Sequence, residues 1–238
     1  MTPPKGWALV TGAAKRLGRV VALDLAAAGW DIVIHYHASR DEAATLADAI
    51  AATGRRAHSI GADLGDADAV ATIIPFLTAT LGPLAALVNN ASLFEPDKND
   101  PDGTRHRQIN FAAPCRLAAD LFAQLPAQAC GSIVNILDGT PLPPHFSAYA
   151  ASKAALRDET PAMARRMAPR TRVNALLLGP TLINPRESRA HFSTLIAATP
   201  LKLQVDPANL AATVRYIMEN QAITGTVLPL DGGRHLEG

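Results

Sequence analysis

The chain of 238 residues is 48% hydrophobic and 18% charged, with a net charge of +1, which describes a globular protein with a large core. It has no basic run, so nucleic acid is not an expected partner. No apolar run approaches the roughly 20 residues of a membrane span, the opening Met1 to Gly6 has no signal-peptide core, and Cys115 and Cys130 make no metal or redox spacing. The expectation is a protein of the reducing cytoplasm, with no membrane partner and no metal.

Gly6 to Val10 reads as a short strand breaking into Thr11-Gly12-Ala13-Ala14-Lys15-Arg16-Leu17-Gly18, with a helix from Arg19 to Ala28 behind it. A glycine-rich turn between strand and helix sets backbone N–H groups and the positive helix end against a phosphate, although two glycines also serve simply to make a turn. Asp31 to Tyr36 is a second strand, dense in β-branched residues, followed by a helix stopped at Gly54. The second strand of an NAD-binding domain usually ends in an acid that holds the ribose hydroxyls. Here it ends in His35-Tyr36-His37, while Arg16 and Arg40 stand near enough in sequence to face a 2′-phosphate, which favours NADP(H). Two roles are open to Ser39: it begins a capping box with Glu42, and its hydroxyl suits a phosphate.

A third strand, Arg56 to Ile60, leads to Asp63-Leu64, a candidate contact for adenine. The next helix carries Val70, Ile73, Ile74 and Leu77 at helical spacing, with Pro75 as a blemish, and Leu84 to Val88 is a fourth strand ending in Asn89-Asn90-Ala91-Ser92. Pro96 to Gly103 is a polar, proline-rich loop. Thr104 to Gln124 is helical and holds Asn110, which is either a structural hydrogen-bonder or part of the chemistry. Ser132 to Leu137 is a buried strand closed by Gly139 and Pro141, and Arg172 to Leu178 is the sixth. Leu182 to Leu203 is the least regular region and reads as a mobile substrate lid; a helix over Asn209 to Met218 and a strand over Thr226 to Leu230 follow. Strands alternating with helices through short loops predict one α/β domain over residues 1–238, a doubly wound Rossmann-type fold with a mostly parallel seven-stranded sheet.

Chemistry concentrates between Asn135 and Lys153. Tyr149 and Lys153 lie four residues apart in a helix expected from Ala148 to Met167, so they share a face, and an ammonium beside a phenol favours the phenolate. The residues resemble the short-chain dehydrogenase/reductase family along nearly the whole chain, through Thr11-Gly12…Gly18, Asp63-Leu64, Asn89-Asn90-Ala91, Asn110, Tyr149-x-x-x-Lys153, Gly179-Pro180 and Asp231-Gly232-Gly233. Within it they look most like pteridine and dihydromonapterin reductases, by residues 11–18, His-Tyr-His at 35–37, Asn-Asn-Ala-Ser-x-Phe at 89–94 and Asp-Gly-Gly-Arg-His-Leu at 231–236. Asp138 belongs to that likeness, standing where most of the family has a serine. Two departures are Ala38, where that branch has an arginine, and a segment between Asp138 and Tyr149 about two residues shorter than usual, which makes Thr140 a possible stand-in for Asp138.

The resemblance implies catalytic roles for Asp138, Tyr149, Lys153 and Asn110, with Lys153 holding the nicotinamide ribose and lowering the Tyr149 pKa, and Asn110 anchoring a water chain. It implies NADP(H) contacts from Gly12, Lys15, Arg16, Leu17 and Gly18, from His37, Ser39, Arg40, Asp63 and Leu64, from Asn89, Ala91 and Ser92, and from Tyr149, Lys153, Pro180 and Leu182. A pterin would meet Arg16, Phe94, Asp138 and Tyr149, with Phe94 either stacking on the ring or serving as a lid or core residue. A homotetramer is also implied. The expected function is NADPH-dependent pterin reduction; a general carbonyl or 3-oxoacyl reductase, and an NADPH-binding sensor or scaffold without turnover, are the alternatives.

Overall fold

Alternate residues of each strand face opposite layers of helices, and the two layers are built from different parts of the chain. In a computed structural model, which describes residues 5–140, 142–184 and 187–237, seven strands form one sheet in the order β3-β2-β1-β4-β5-β6-β7, every neighbouring pair parallel. The strands are β1 (Trp7–Val10), β2 (Asp31–Tyr36), β3 (Ala57–Gly61), β4 (Leu84–Asn89), β5 (Gly131–Asp138), β6 (Thr171–Leu178) and β7 (Val227–Leu230). Seven parallel strands confirm the expected doubly wound sheet, without an antiparallel member. The expected strand stop at Pro141, the opening residues 1–4 and positions 185 and 186 of the expected lid lie outside the described residues.

Ala8, Val10, Ile32, Ile34, Val134 and Ile136 pack against α1 (Arg16–Ala27), α2 (Arg40–Ala51) and α8 (Pro207–Glu219). Trp7, Leu9, Val33, Leu87 and Ile133 pack on the other face against α3 (Ala67–Leu81), α5 (Ala113–Gln124) and α6 (Ser147–Met167). This period of two, with both sets fully buried, is why the strands read as continuous apolar runs. Because β1 and β4 are neighbours while their crossovers leave to opposite faces, the chain opens a crevice at the carboxyl ends of these two strands.

The expected helix from Thr104 to Gln124 is broken. A short helix α4 (Thr104–Arg107) passes through a π-helical turn, Gln108–Ala112, into α5, and Asn110 sits in that turn. The region from Leu182 to Leu203 is not irregular throughout, since it contains α7 (Arg189–Ala197), capped by the Ser188 side chain on the His191 N–H. Phe192, Leu195 and Ile196 of α7 stand at helical spacing, but this stripe is a single turn long and only half-buried. Among the described residues, no helix is long and apolar enough to cross a membrane.

Candidate active site

The crevice holds two adjoining cavities, of about 410 Å³ and about 520 Å³, which share Arg16, Asn90 and Ser92 in their walls. The smaller is lined by the turn between β1 and α1 and by the tips of β2 to β4, including Gly12, Lys15, Leu17, Gly18, His35, His37, Asp63, Leu64, Ala91 and Arg105. Gly12 has a φ of +62°, and a Cβ at Gly18 would lie 2.3 Å from the Gly12 carbonyl oxygen, so this turn tolerates no side chain there. Thr11 and Asn90 lock it to β4: the Thr11 hydroxyl oxygen accepts from the Asn90 and Ala91 N–H groups at 2.9 and 3.0 Å, and Asn90 Nδ2 donates to the Thr11 carbonyl at 2.8 Å.

His35 is a strut under this turn. It is 2% exposed, its Nδ1 accepts from the Gly12 N–H at 3.2 Å, and its Nε2 lies 3.2 Å from the Ala62 carbonyl. That arrangement fits only a neutral ring with its proton on Nε2, and burial lowers the pKa to about 4. Sequence reasoning counted His35 only as part of a motif; its two partners come from turns 23 and 27 residues away, which no local pattern reports.

Other expected cofactor residues are distributed unevenly. Lys15 pairs with Glu42 at 2.7 Å, and His37 stands exposed, 3.9 Å from Asp63. Ser39 precedes α2 without making the side-chain cap that the sequence suggested, and neither Ser39 nor Arg40 lines the cavity. Arg16, expected near a 2′-phosphate, instead sends its guanidinium the other way, donating to the carbonyls of Leu182 and Ile183 at 3.3 and 3.0 Å. Asn89 does not reach the crevice. It is 3% exposed and donates to Asn135 at 2.8 Å, and Asn135 donates to Thr160, so Asn89 belongs to a buried link between β4, β5 and α6. Its neighbour Asn90 takes the place in the crevice, because side chains alternate at the strand end.

The larger cavity contains the candidate chemistry. The short segment after β5 still carries Asp138 to Tyr149, whose hydroxyl donates to Asp138 Oδ2 at 2.8 Å. Thr140 does not replace Asp138 but supports it, its N–H donating to Asp138 Oδ1 at 2.8 Å. Lys153 is buried, with Nζ donating to the Ile136 carbonyl at 3.0 Å and lying 5.9 Å from the Tyr149 ring. The expected phenolate is reversed. Burial first, then the charge and hydrogen bond of Asp138, push the Tyr149 phenol well above its usual value, opposed by a hydrogen bond with the Ser92 side chain. Burial lowers Lys153 to about 8, against the attraction of Asp138. Burial and the direct Asp138 contact act together on the phenol, while the Lys153 ammonium lies 5.9 Å from its ring.

Asn110, expected to anchor a water chain, is completely buried and spends its side chain on the protein: Oδ1 accepts from Leu93 N–H at 2.8 Å and Ser92 at 3.2 Å, while Nδ2 donates to the Leu93 carbonyl at 2.9 Å and Ser152 at 3.0 Å. Four bonds fill an amide's capacity, so this side chain clamps the loop after β4 onto α6. Phe94 lines the cavity, stacked on Phe146 at 4.6 Å and edge-to-face with Tyr149 at 4.8 Å. Pro180, Leu182, His191, Phe192 and Leu195 complete the wall, so α7 supplies contacts the sequence had left unresolved.

A parallel sheet with a glycine turn at its switch point and a Tyr–Lys helix beside it defines a nucleotide-dependent oxidoreductase. The short chain dehydrogenase family model matches residues 6–191, and the chain belongs to that family. In sequence, it is 33% identical to an uncharacterized oxidoreductase of Mycobacterium tuberculosis, over 95% of this chain and 90% of that protein. It is 28% identical to the 3-oxoacyl-[acyl-carrier-protein] reductase FabG of Staphylococcus aureus, over 96% of this chain and 98% of that one. In structure, it matches the FolM alternative dihydrofolate reductase 1 of Brucella canis, complexed with NADP, with a TM-score of 0.91, 38% identity and coverage of 98% and 94%.

Proposed function

We propose that this oxidoreductase reduces a dihydropterin with NADPH. The observation that carries the reading is the 2.8 Å contact between Tyr149 and Asp138, in the wall of a cavity of about 520 Å³ lined also by Phe94, Leu142 and Phe192. A dihydropterin C=N bond takes a hydride at carbon and a proton at the adjacent nitrogen. Burial and Asp138 hold the Tyr149 phenol protonated, so its proton is in place when the arrival of hydride makes the ring nitrogen strongly basic. Asp138, as an acceptor, suits the N–H edge of a pterin better than a ketone oxygen. The structural likeness to a dihydrofolate reductase of the FolM type supports this choice.

The residues of the smaller cavity fit a dinucleotide. Its glycine turn has no room for a Cβ, it opens at the start of α1, and Lys15, Arg16, His37 and Arg105 outnumber the one carboxylate, Asp63. Backbone N–H groups around Gly12–Gly18 would hold the pyrophosphate, Lys15 and His37, with Ser39 and Arg40 beyond them, the 2′-phosphate, and Asp63 and Leu64 the adenine. Ala91, Ser92, Pro180 and Leu182 would flank the nicotinamide end, where Lys153 would hold the ribose hydroxyls. When bound, the nicotinamide supplies the hydride; the chain's part is placement and the proton.

The 28% identity to FabG favours a second reading, reduction of a 3-oxoacyl thioester on the same scaffold. NADPH oxidation measured against a panel of dihydropterins and 3-oxoacyl thioesters separates them. Turnover of dihydropterins is expected; turnover of thioesters alone would overturn the pterin reading.

A further inference from the structure

The first turn of α6 carries Tyr149, yet it has no cap of its own. Phe146 stands at the N-cap position and makes no side-chain cap, so the first N–H groups of this helix need partners from elsewhere. They find them 50 residues back. Asp97 Oδ2 accepts from the Ser147 N–H at 3.1 Å and from the Ser147 hydroxyl at 2.7 Å, and Asp97 Oδ1 accepts from the Ala148 N–H at 3.1 Å. The carboxylate also lies at the positive end of a helix of 21 residues.

The rest of the same loop touches the next residues in turn. Gly103, at a φ of +68°, comes so close to Ala148 that a Cβ there would lie 3.3 Å from the Ala148 Cβ. The His106 ring stands edge-on to the Tyr149 ring, with centroids 6.3 Å apart. His106 is itself immobilised: it is fully buried, its Nδ1 lies 2.6 Å from Asp100 Oδ2, and its backbone N–H donates to the same oxygen at 2.9 Å. Three successive residues of this helix, Ser147, Ala148 and Tyr149, are therefore each met by a residue of the segment that runs from the end of β4 through α4.

We propose that Asp97 is a positioning residue for Tyr149: it replaces the missing cap of α6 and so fixes the turn that brings the phenol to Asp138. This rests on Tyr149 as the proton donor of the proposed reaction. The Ser147 hydroxyl, above all, holds the Asp97 carboxyl below its usual range, in keeping with a carboxylate that stays charged while it caps. Neither Asp97 nor any residue of α6 lines the smaller cavity, so a frayed first turn would leave the phosphate and adenine contacts proposed there in place.

The test compares Asp97→Ala and Asp97→Asn with wild type. In Asp97→Ala, kcat for dihydropterin reduction should fall at least tenfold while the NADPH Kd stays within twofold. Asp97→Asn keeps one acceptor oxygen and should fall between the two. Amide hydrogen exchange at Ser147 and Ala148 should speed up at least tenfold in Asp97→Ala; this arm needs no substrate, so a wrong substrate assignment leaves it readable. An unchanged kcat, unchanged exchange, or an NADPH Kd that weakens in step with kcat would each overturn the proposal. If Asp97→Ala does not fold, Asp97→Asn decides by the same criteria, with at least threefold effects on kcat and exchange expected and no change overturning it.

Discussion

The two ends of the crevice are built in different ways. At the cofactor end, the parts of the turn itself are backbone and neutral side chains contributed by adjacent strand tips, the Gly12 turn, the Thr11 hydroxyl, the Asn90 amide and the uncharged His35 ring, with Lys15, Arg16 and Arg105 in the surrounding wall. At the catalytic end they are charges, Asp138, Lys153 and Asp97, set by longer segments and buried or tied to helix ends. The first arrangement suits a ligand that brings its own charge, since N–H dipoles need no counter-ion. The second suits a proton that must be held until it is used. Damage at the glycine turn should therefore show in binding, and damage at Tyr149 in turnover.

The sharpest way to break that division is Tyr149→Phe, which removes the proton and keeps the ring. Turnover should fall by roughly 10²–10⁴-fold, in line with general acid catalysis, with the NADPH Kd nearly unchanged; a parallel loss of NADPH affinity would show that the two ends are not separate. The next effect lies at the cofactor end and is read as stability. His35 has a folded pKa of about 4 against an unfolded value of about 6.5, so between these the unfolded chain takes the proton first. Its contribution is complete above pH 6.5 and is lost as pH falls towards 4, by about 3 kcal/mol. Urea unfolding across that range should lose that part of its slope in His35→Asn, and an identical slope would show that the ring is not held neutral.

Asp138→Ser comes next, with an expected loss of tenfold or more in kcat/KM for dihydropterins and retention or gain of any carbonyl activity. Equal dihydropterin turnover would remove Asp138 from the chemistry. The smallest effect is cofactor choice. With no acid at the end of β2, NADPH should bind at least tenfold better than NADH, about 1.4 kcal/mol. Fluorescence titration measures it, and equal affinities would show that Lys15 and His37 read no 2′-phosphate.

This contrast also explains what was legible in the sequence. The sheet, its order of elements and the glycine turn follow from contiguous patterns, because each β-α unit buries its own apolar stripe. Tyr149 and Lys153 were visible because one helix turn separates them. What escaped depends on contacts across the chain. Asn89 and Asn90 are adjacent and alike, and only the pleat of β4 decides which faces the crevice. Asp97 sits in a polar loop like any other until α6 is found to lack a cap. The phenolate expected from Lys153 gave way to a phenol because Tyr149 is buried and touches Asp138 directly, a contact between residues 11 positions apart. The helix α7 went unseen because its apolar stripe, Phe192, Leu195 and Ile196, is a single turn long and only half-buried.

Arg16 joins what the crevice otherwise divides. It holds a left-handed backbone, φ 52°, beside the glycine turn, and reaches 166 and 167 residues along the chain to the carbonyls of Leu182 and Ile183. A non-glycine residue in that region stores about 1–3 kcal/mol of strain, which persists only where the surroundings enforce it. A phosphate that drew this guanidinium away would release the base of the segment leading to α7. By thermodynamic reciprocity, a substrate that tightened that segment would then weaken the phosphate's hold by the same factor. Were both ligands to compete for that one side chain, neither could be bound more tightly there without some loss to the other.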